Sequence, residues 1–142
     1  MTAKQLSVFI ENRKGRLEEV LTVLKENKVN IISLSLADTT EYGLLRLIVN
    51  DAEKGKETLA KDGFSTLVSE VLIVKIAHKA GSLQEMLKIL SKYDVNVEYM
   101  YGLSVDGQNA YVVLKTSDME KIKQAVKEND IQTLTTEEIS AL

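Results

Sequence analysis

Apolar residues recur at every second position near the start of the chain and then change to a helical spacing. Leu6, Val8 and Ile10 follow the period-two pattern of a strand. After Gly15 the apolar positions are spaced i, i+3, i+4, i+7, as on one face of a helix, and they are Leu17, Val20, Leu21 and Leu24. The pattern therefore predicts a strand, a polar loop that ends at Gly15, and an amphipathic helix.

The same pattern returns 66 residues later. Residues 6–30 align without a gap on residues 72–96, and 10 of the 25 positions are identical, including Gly15/Gly81, Glu19/Glu85 and Asn30/Asn96. Self-similarity at a fixed offset indicates a duplicated structural unit. Because no Gly- or Ser-rich linker separates the copies, we predict two modules, residues 1–70 and 71–142, joined by a short segment at Val68–Val71.

The remaining elements complete each copy. Residues 29–36, 44–49 and 110–114 are rich in apolar and β-branched residues and are predicted strands, as are 66–69 and 131–135. Second helices are predicted over about 52–62 and 118–129, with Asp51 and Ser117 as N-caps. Turns are predicted at 38–43 and at Asp106-Gly107. The order predicts an α+β fold, namely two tandem ferredoxin-like βαββαβ modules with antiparallel sheets and the helices on one face.

The first predicted sheet is apolar on both faces. Alternation puts Ile31 on one face and Ile32, Leu34 and Leu36 on the other, and residues 44–49 carry apolar residues on both faces as well. The helices can cover only one face. We therefore expect the other to meet a second sheet, in this chain or in the partner chain of a homodimer.

Composition excludes several classes of function. The 142 residues contain no cysteine and one histidine, His78, so thiol catalysis, a thiolate metal site and a His-rich metal site are excluded. A net charge of −3 provides no electrostatic attraction for nucleic acid. No apolar run is long enough to span a membrane, and the N-terminus lacks a signal-peptide core. We expect a cytoplasmic protein with no nucleic-acid or membrane partner, no metal and no cofactor.

The loop, helix and strand together resemble a known family. Ile10-Glu-Asn-Arg-Lys-Gly15-Arg-Leu17, a helix, and then Val29-Asn30-Ile31 are similar to the ACT domain, a small regulatory amino-acid-binding module. Ala77-His-Lys-Ala-Gly81-Ser-Leu83 and Val95-Asn96-Val97 repeat the pattern in the second copy. The resemblance covers essentially the whole chain, although Lys14 and Ala80 stand where the family often has a proline.

The residues themselves suggest how an amino acid would bind. A glycine between strand and helix allows a tight turn, and the first helical amides at Gly15, Arg16 and Leu17 form a positive end that suits a carboxylate. Asn12 and Asn30 offer polar groups for an α-amino group. The resemblance implies a site at a module interface formed by Asn12, Arg13, Lys14, Gly15, Arg16, Leu17, Asn30 and Ile31 and, in the second copy, by His78, Lys79, Ala80, Gly81, Ser82, Leu83, Asn96 and Val97.

Each of these residues also has a purely structural alternative. The glycines could serve only the turn, the asparagines could only close a turn with a side-chain hydrogen bond, and the basic residues and His78 could simply be solvated. The first-copy site is the preferred one, because Asn12 and Asn30 together match the family pattern. The asparagines and the histidine favour a polar or medium-sized amino acid.

The leading functional hypothesis is a non-catalytic amino-acid sensor. The resemblance implies a free amino acid as ligand, the two apolar faces of the first sheet favour a homodimer, and a metabolic enzyme or regulator is an expected partner. An enzyme is a rival, but no nucleophile elbow or paired-carboxylate motif is present, and no catalytic residue is predicted. An RNA-recognition module shares the element order but requires basic and aromatic residues that the third strands lack. A structural oligomerisation module without a small ligand remains the alternative.

Overall fold

A computed structural model describes residues 1–38 and 41–141. The chain divides into two compact units, whose main bodies are Lys4–Ser69, called the first module, and Glu70–Ile139, called the second module. Each module is a βαββαβ unit, as the repeat predicts.

In the first module the strands and helices follow the predicted order. They are β1 (Ala3–Glu11), α1 (Arg16–Glu26), β2 (Ile31–Asp38), β3 (Tyr42–Val49), α2 (Ala52–Lys61) and the first part of β4 (Ser65–Ala77). The strand order is β2-β3-β1-β4, and β3 pairs antiparallel with both β1 and β2. Thr39 and Thr40 of the predicted turn at 38–43 lie outside the described residues.

The second module repeats this plan. The rest of β4 is followed by α3 (Ser82–Lys92), β5 (Val97–Val105), β6 (Asn109–Thr116), α4 (Met119–Glu128), β7 (Gln132–Leu134) and a short helix α5 (Thr136–Ser140) that the sequence pattern does not predict. Within it β6 pairs antiparallel with β4 and β5, and β7 pairs antiparallel with β4. The predicted Asp106-Gly107 turn is confirmed, because the backbone N–H of Asp106 donates to the Asn109 carbonyl at 2.9 Å.

Each module has its own apolar core between its sheet and its two helices. The first core is built from Leu6, Val8, Val20, Leu24, Leu45, Leu47 and Leu59, all buried. The second uses Leu72, Val74, Met86, Leu90, Leu114, Ile122 and Ala125. Apolar side chains that alternate on the strands and recur on one helix face therefore meet in one layer, and their removal from water stabilises each module.

Gly55 permits close packing inside α2. A Cβ built at this position would lie 2.9 Å from Leu6 Cδ2. Glycine lowers the helix propensity of the segment. The missing side chain instead lets α2 approach β1 over a fully buried leucine.

Three predictions about local structure were wrong. The join at Val68–Val71 is not a connecting segment, because it lies inside the 13-residue strand β4. The N-cap of α4 is Asp118 rather than Ser117, and its carboxylate accepts from Lys121 N at 3.1 Å. Asp51 caps α2 as predicted, accepting from Lys54 N.

The third error concerns β2. Simple alternation puts Leu34 and Leu36 opposite Ile31, but the register shifts between Ile31 and Ser33. A β-bulge moves every later side chain to the other face of the sheet. Leu34 and Leu36 consequently pair with Leu47 and Leu45 on the helix-bearing face and remain about half exposed, at 46% and 48%.

The face without helices is partly covered. Ile48, Gln5 and Ser7 are buried there in the first module, whereas Phe9 is 47% exposed. That this face meets a second sheet stays a prediction.

Candidate functional site

The two strand-to-helix loops have the same backbone shape. Gly15 and Gly81 both adopt φ 89° and ψ −14° immediately before α1 and α3. These are left-handed values that glycine reaches without strain. A Cβ at either position would meet nothing within 4 Å, so the backbone conformation, and not crowding, selects glycine.

The loops also share their hydrogen bonds. Glu19 N donates to Gly15 O at 3.0 Å, and Glu85 N donates to Gly81 O at 2.9 Å. Asn12 N donates to Glu41 O, as its counterpart His78 N does to Gln108 O. Among the residues that the structure describes, no side chain caps either helix. Each module thus presents an uncapped positive helix end beside a polar loop.

Most of the predicted site residues lie at the surface. Those exposed in the two loops are Asn12, Arg13, Lys14, Gly15, His78, Lys79, Ala80, Gly81 and Leu83. Arg16 and Leu17 are half-buried, whereas Ser82 is only 8% exposed. Ser82 Oγ is buried without a hydrogen-bond partner among the described residues.

Asn30 and Asn96 do not join the glycine loops of their own modules. Asn30 follows the C-terminal end of α1, whose 11 residues separate it from Gly15 by about 16 Å. Its backbone N–H donates to Asn50 Oδ1 at 2.8 Å, and with Ile31 it lines a separate depression of about 400 Å³ beside Lys25 and Lys28. Within one module, the glycine loop and the Asn30-type residue therefore lie at opposite ends of the helix.

Two depressions flank the first turn of α3. One, of about 690 Å³, lies along the outer side of the helix and is lined by Gly81, Leu83, Gln84, Leu87, Lys88 and Ser91. The other, of about 550 Å³, is called here the α3–β7 groove. It is lined by Lys75, Ile76, Ala77, Lys79, Ser82, Glu85, Met86, Ile89, Asn109, Asp130, Ile131 and Gln132.

Charged groups of both signs surround the α3–β7 groove. Lys75 and Lys79 supply positive charge, and Glu85 and Asp130 supply negative charge. Nearby, the Asp106 carboxylate accepts N–H groups from Gln108 at 2.8 Å and Asn109 at 2.7 Å. These bonds lower the pKa of Asp106, with a smaller contribution from Lys75, so the carboxyl group stays ionised. The surroundings suit a small molecule that carries both a cationic and an anionic group.

In the first module the residue equivalent to Ser82 is Arg16. Its guanidinium lies 4.3 Å from the centroid of the Phe64 ring, and Nη1 is 2.5 Å from Glu19 Oε2. The side chain is 17% exposed, and its Nε is buried without a hydrogen-bond partner among the described residues. The two modules are therefore alike in backbone and different in what stands at the first position of the helix.

The sequence prediction missed the groove residues Lys75, Glu85, Asn109, Asp130 and Ile131. One signal for them was present in the repeat, because the 66-residue offset pairs Glu19 with Glu85 and Arg16 with Ser82. The acidic residue is retained while its cationic neighbour is replaced. Asn109 in β6 and the residues just before β7 reach the groove through strand pairing. The sequence contains no comparable signal for that pairing.

The described part of the chain contains neither a metal-binding cluster nor a membrane-spanning helix. Within residues 1–38 and 41–141, no group of three or more His, Cys, Asp or Glu side chains is arranged to hold a metal ion. Over the same part of the chain, no helix combines the length and apolar character needed to cross a membrane.

Comparison with known proteins places this geometry in context. The family model described as "ACT domain pair" matches residues 1–142. A crystal structure of a protein from Bacteroides thetaiotaomicron is 34% identical, with a TM-score of 0.94, over 100% of this chain and 98% of that one. No curated protein matches significantly.

More distant structures share the fold alone. The regulatory subunit of aspartate kinase from Thermus thermophilus, in its ligand-free form, is 16% identical with a TM-score of 0.62, over 90% of this chain and 96% of that one. The corresponding subunit from Thermus flavus is 16% identical with a TM-score of 0.59, over 88% and 90%.

Proposed function

Because the chain belongs to the ACT domain pair family, we propose that it is a non-catalytic regulatory protein that binds a free amino acid. The observation that carries this proposal is the duplicated glycine loop. Both copies open an uncapped helix with the same φ and ψ, beside polar loop residues. Such a helix end favours a carboxylate, which every free amino acid carries.

The proposed ligand lies where two modules meet, contacting the residues predicted from the sequence. The positions of Asn30 and Asn96, each at the far end of its helix from the glycine loop, are the reason for placing it at an interface. A homodimer provides such an interface, and the edge strand β2 with its half-exposed Leu34 and Leu36 is a surface for it. The ligand would act on a metabolic enzyme or another regulator through this assembly.

The exposed apolar residues also favour a second candidate function. Phe9, Leu34 and Leu36 are between 46% and 48% exposed in the first module. Apolar exposure of this kind is typical of an interaction surface. The alternative is thus a structural oligomerisation module that binds no small ligand.

Thermal unfolding in the presence of each of the twenty amino acids separates the two candidates. A ligand that binds only the folded protein raises the melting temperature, and the increase grows with the logarithm of the ligand concentration once this exceeds the dissociation constant. We expect one amino acid, or a chemically related few, to raise it, and titration calorimetry to confirm binding. If none of the twenty binds at millimolar concentration, the sensor function is wrong and the structural alternative stands.

A further inference from the structure

The two modules differ most informatively at the first residue of their first helices. Arg16 begins α1 and Ser82 begins α3, and each follows a glycine of identical φ and ψ. The backbone is therefore held constant while the side chain changes from a long cation to a short hydroxyl. One module serves as the internal reference for the other.

In the first module Phe64 and Glu19 form a binding site for a planar cation, called here the cation seat. The Arg16 guanidinium occupies it. The Phe64 ring lies 4.3 Å from the guanidinium, and the Glu19 carboxylate pairs with it. An aromatic face and a carboxylate are the two groups that hold a guanidinium best. The burial of this side chain, with 17% exposed, is consistent with an arginine held in place rather than a solvated one.

The second module keeps the carboxylate of this site, has an isoleucine in place of the aromatic ring, and has serine in place of the arginine. Ile131 corresponds to Phe64, since each follows a residue of positive φ and each N–H bonds back to the helix, at Val126 O and Leu59 O respectively. Glu85 corresponds to Glu19. The place that corresponds to the Arg16 side chain is the α3–β7 groove. Its volume of about 550 Å³ lies within the size range of small-molecule sites.

Ser82 provides an independent sign of a missing partner. It lines the groove, it is only 8% exposed, and its Oγ has no hydrogen-bond partner among the described residues. A buried hydroxyl without a partner is costly, and a bound ligand can supply the bond. The groove also holds Lys75 and Lys79, which can pair with a carboxylate.

We propose that the α3–β7 groove binds a free amino acid with a guanidinium side chain, and that the Arg16 side chain is the built-in equivalent of this ligand in the first module. The guanidinium pairs with Glu85, and the carboxylate pairs with Lys75 and Lys79. This groove lies within the second module, so it is a different site from the interface site proposed above, although Lys79 and Ser82 belong to both. That its ligand is an amino acid rests on the proposed function; the cation seat rests on the comparison of the two modules. The ligand therefore occupies one such groove per chain.

Calorimetric titration with L-arginine, L-citrulline and agmatine tests the chemistry. Citrulline has nearly the shape of arginine without its charge, and agmatine lacks the carboxylate. We expect arginine to bind with a stoichiometry of one per chain and citrulline to bind at least about tenfold more weakly, because a charge-assisted pair is lost. Equal binding of arginine and citrulline would overturn the proposal.

Two variants test the location. Ser82→Arg transfers the first module's occupant into the groove, beside Glu85, and is expected to abolish arginine binding and to raise the melting temperature. Glu85→Gln is expected to weaken arginine binding about tenfold or more while leaving citrulline unchanged. Glu98→Gln is the matched control, because it makes the same charge change on β5, which is separated from β7 by β6 and β4, and should bind arginine as the wild type does.

The outcomes separate this proposal from the proposed function. If Ser82→Arg fails to fold, Glu85→Gln decides, and an unchanged arginine affinity in that variant refutes the groove. If another amino acid binds while arginine neither binds nor competes, the groove assignment is wrong and the sensor function stands. If none of the twenty amino acids binds but agmatine does, the cation seat stands and the sensor function fails.

Discussion

The guanidinium of Arg16 lies over the Phe64 ring at 4.3 Å from its centroid and joins the start of α1 to the turn before β4. This contact links the loop predicted to bind a ligand to the end of the first module. The second module lacks this contact, because serine stands in the place of Arg16 and isoleucine in the place of Phe64.

Replacing Arg16 by alanine should lower the free energy of unfolding by about 1 kcal/mol. The cation–π contact contributes roughly 0.5–2 kcal/mol depending on desolvation, and the pair with the exposed Glu19 adds little. Urea denaturation measures the change. The control is Arg13→Ala, whose pair with Glu11 is exposed and should contribute less than about 0.5 kcal/mol. Equal effects of the two substitutions would contradict a special role for Phe64.

Gly81→Ala should destabilise the protein by about 1–2 kcal/mol, because alanine is strained at φ 89°. Gly81→Asn should cost less, since asparagine tolerates left-handed backbone better than alanine. No neighbouring atom would meet the new Cβ, so the loss measures the backbone conformation alone. Thermal and urea unfolding of the two variants provide the comparison, and an alanine variant as stable as wild type would refute the strained geometry.

Asn50→Ala should lower the stability of the fold, whereas Asn30→Ala should lower the affinity for the ligand. Asn50 Oδ1 accepts from Asn30 N, so its removal should cost about 0.5–1.5 kcal/mol of stability. The bonds that Asn30 makes to Asn50 use only its backbone, so Asn30→Ala should leave the fold nearly unchanged. It should instead weaken amino-acid binding about ten- to a hundredfold, as should Asn96→Ala if that copy binds.

Calorimetric titration with the amino acid that raises the melting temperature measures this effect. If the ligand binds wild type and both asparagine variants equally well, the asparagines are not part of the site. In that case the fold and the sensor function are unaffected, and the placement of the ligand is wrong.

Stability should depend on pH through Tyr93 and Glu128. The Tyr93 hydroxyl donates to Glu128 Oε2, which raises the pKa of Tyr93 above its ordinary 10.0 and lowers that of Glu128 below its ordinary 4.5. The depressed Glu128 pKa makes a contribution that is present above pH 4.5 and is lost in acid. The raised Tyr93 pKa makes one that is present below pH 10.0 and is lost in alkali.

Tyr93→Phe should therefore differ most from wild type in stability between these limits and converge with it in acid and in alkali. Carboxyl NMR titration should also show the pKa of Glu128 rising in this variant. Gln124→Ala removes a smaller cause of the same shift and should raise the pKa less. A Glu128 pKa that does not change in Tyr93→Phe would contradict the bond.

Leu34→Lys combined with Leu36→Lys should convert the proposed homodimer into a monomer. Both leucines are about half exposed on the edge strand β2, and a charged edge disfavours association. Light scattering measures the mass of both forms. The control is Leu67→Lys, which is equally exposed but lies on β4, away from that edge. A monomeric wild type would refute the dimer.

Much of the fold could be predicted from the sequence because it depends on local pattern. Leu6, Val8 and Ile10 predicted a strand, and Leu17 to Leu24 predicted a helix, because side chains that share a face must recur with the period of their element. The repeat then doubled each signal. The error at β2 came from a single inserted residue, the β-bulge after Ile31. The error at the N-cap of α4 came from a choice between two adjacent residues that can both cap, Ser117 and Asp118.

The candidate site was predictable only in part, for a physical reason. Gly15 and Gly81 are required by the backbone conformation of their own loops. The sequence by itself therefore determined where α1 and α3 begin and that the two loops are equivalent. Beside the Gly15 loop, the Arg16 side chain contacts Phe64. Beside the Gly81 loop, Ser82 and Ile131 line an open groove. The two residues of each pair are about fifty positions apart in the chain. Contacts at that separation are decided by how helices and strands pack, and only the tertiary structure supplies them.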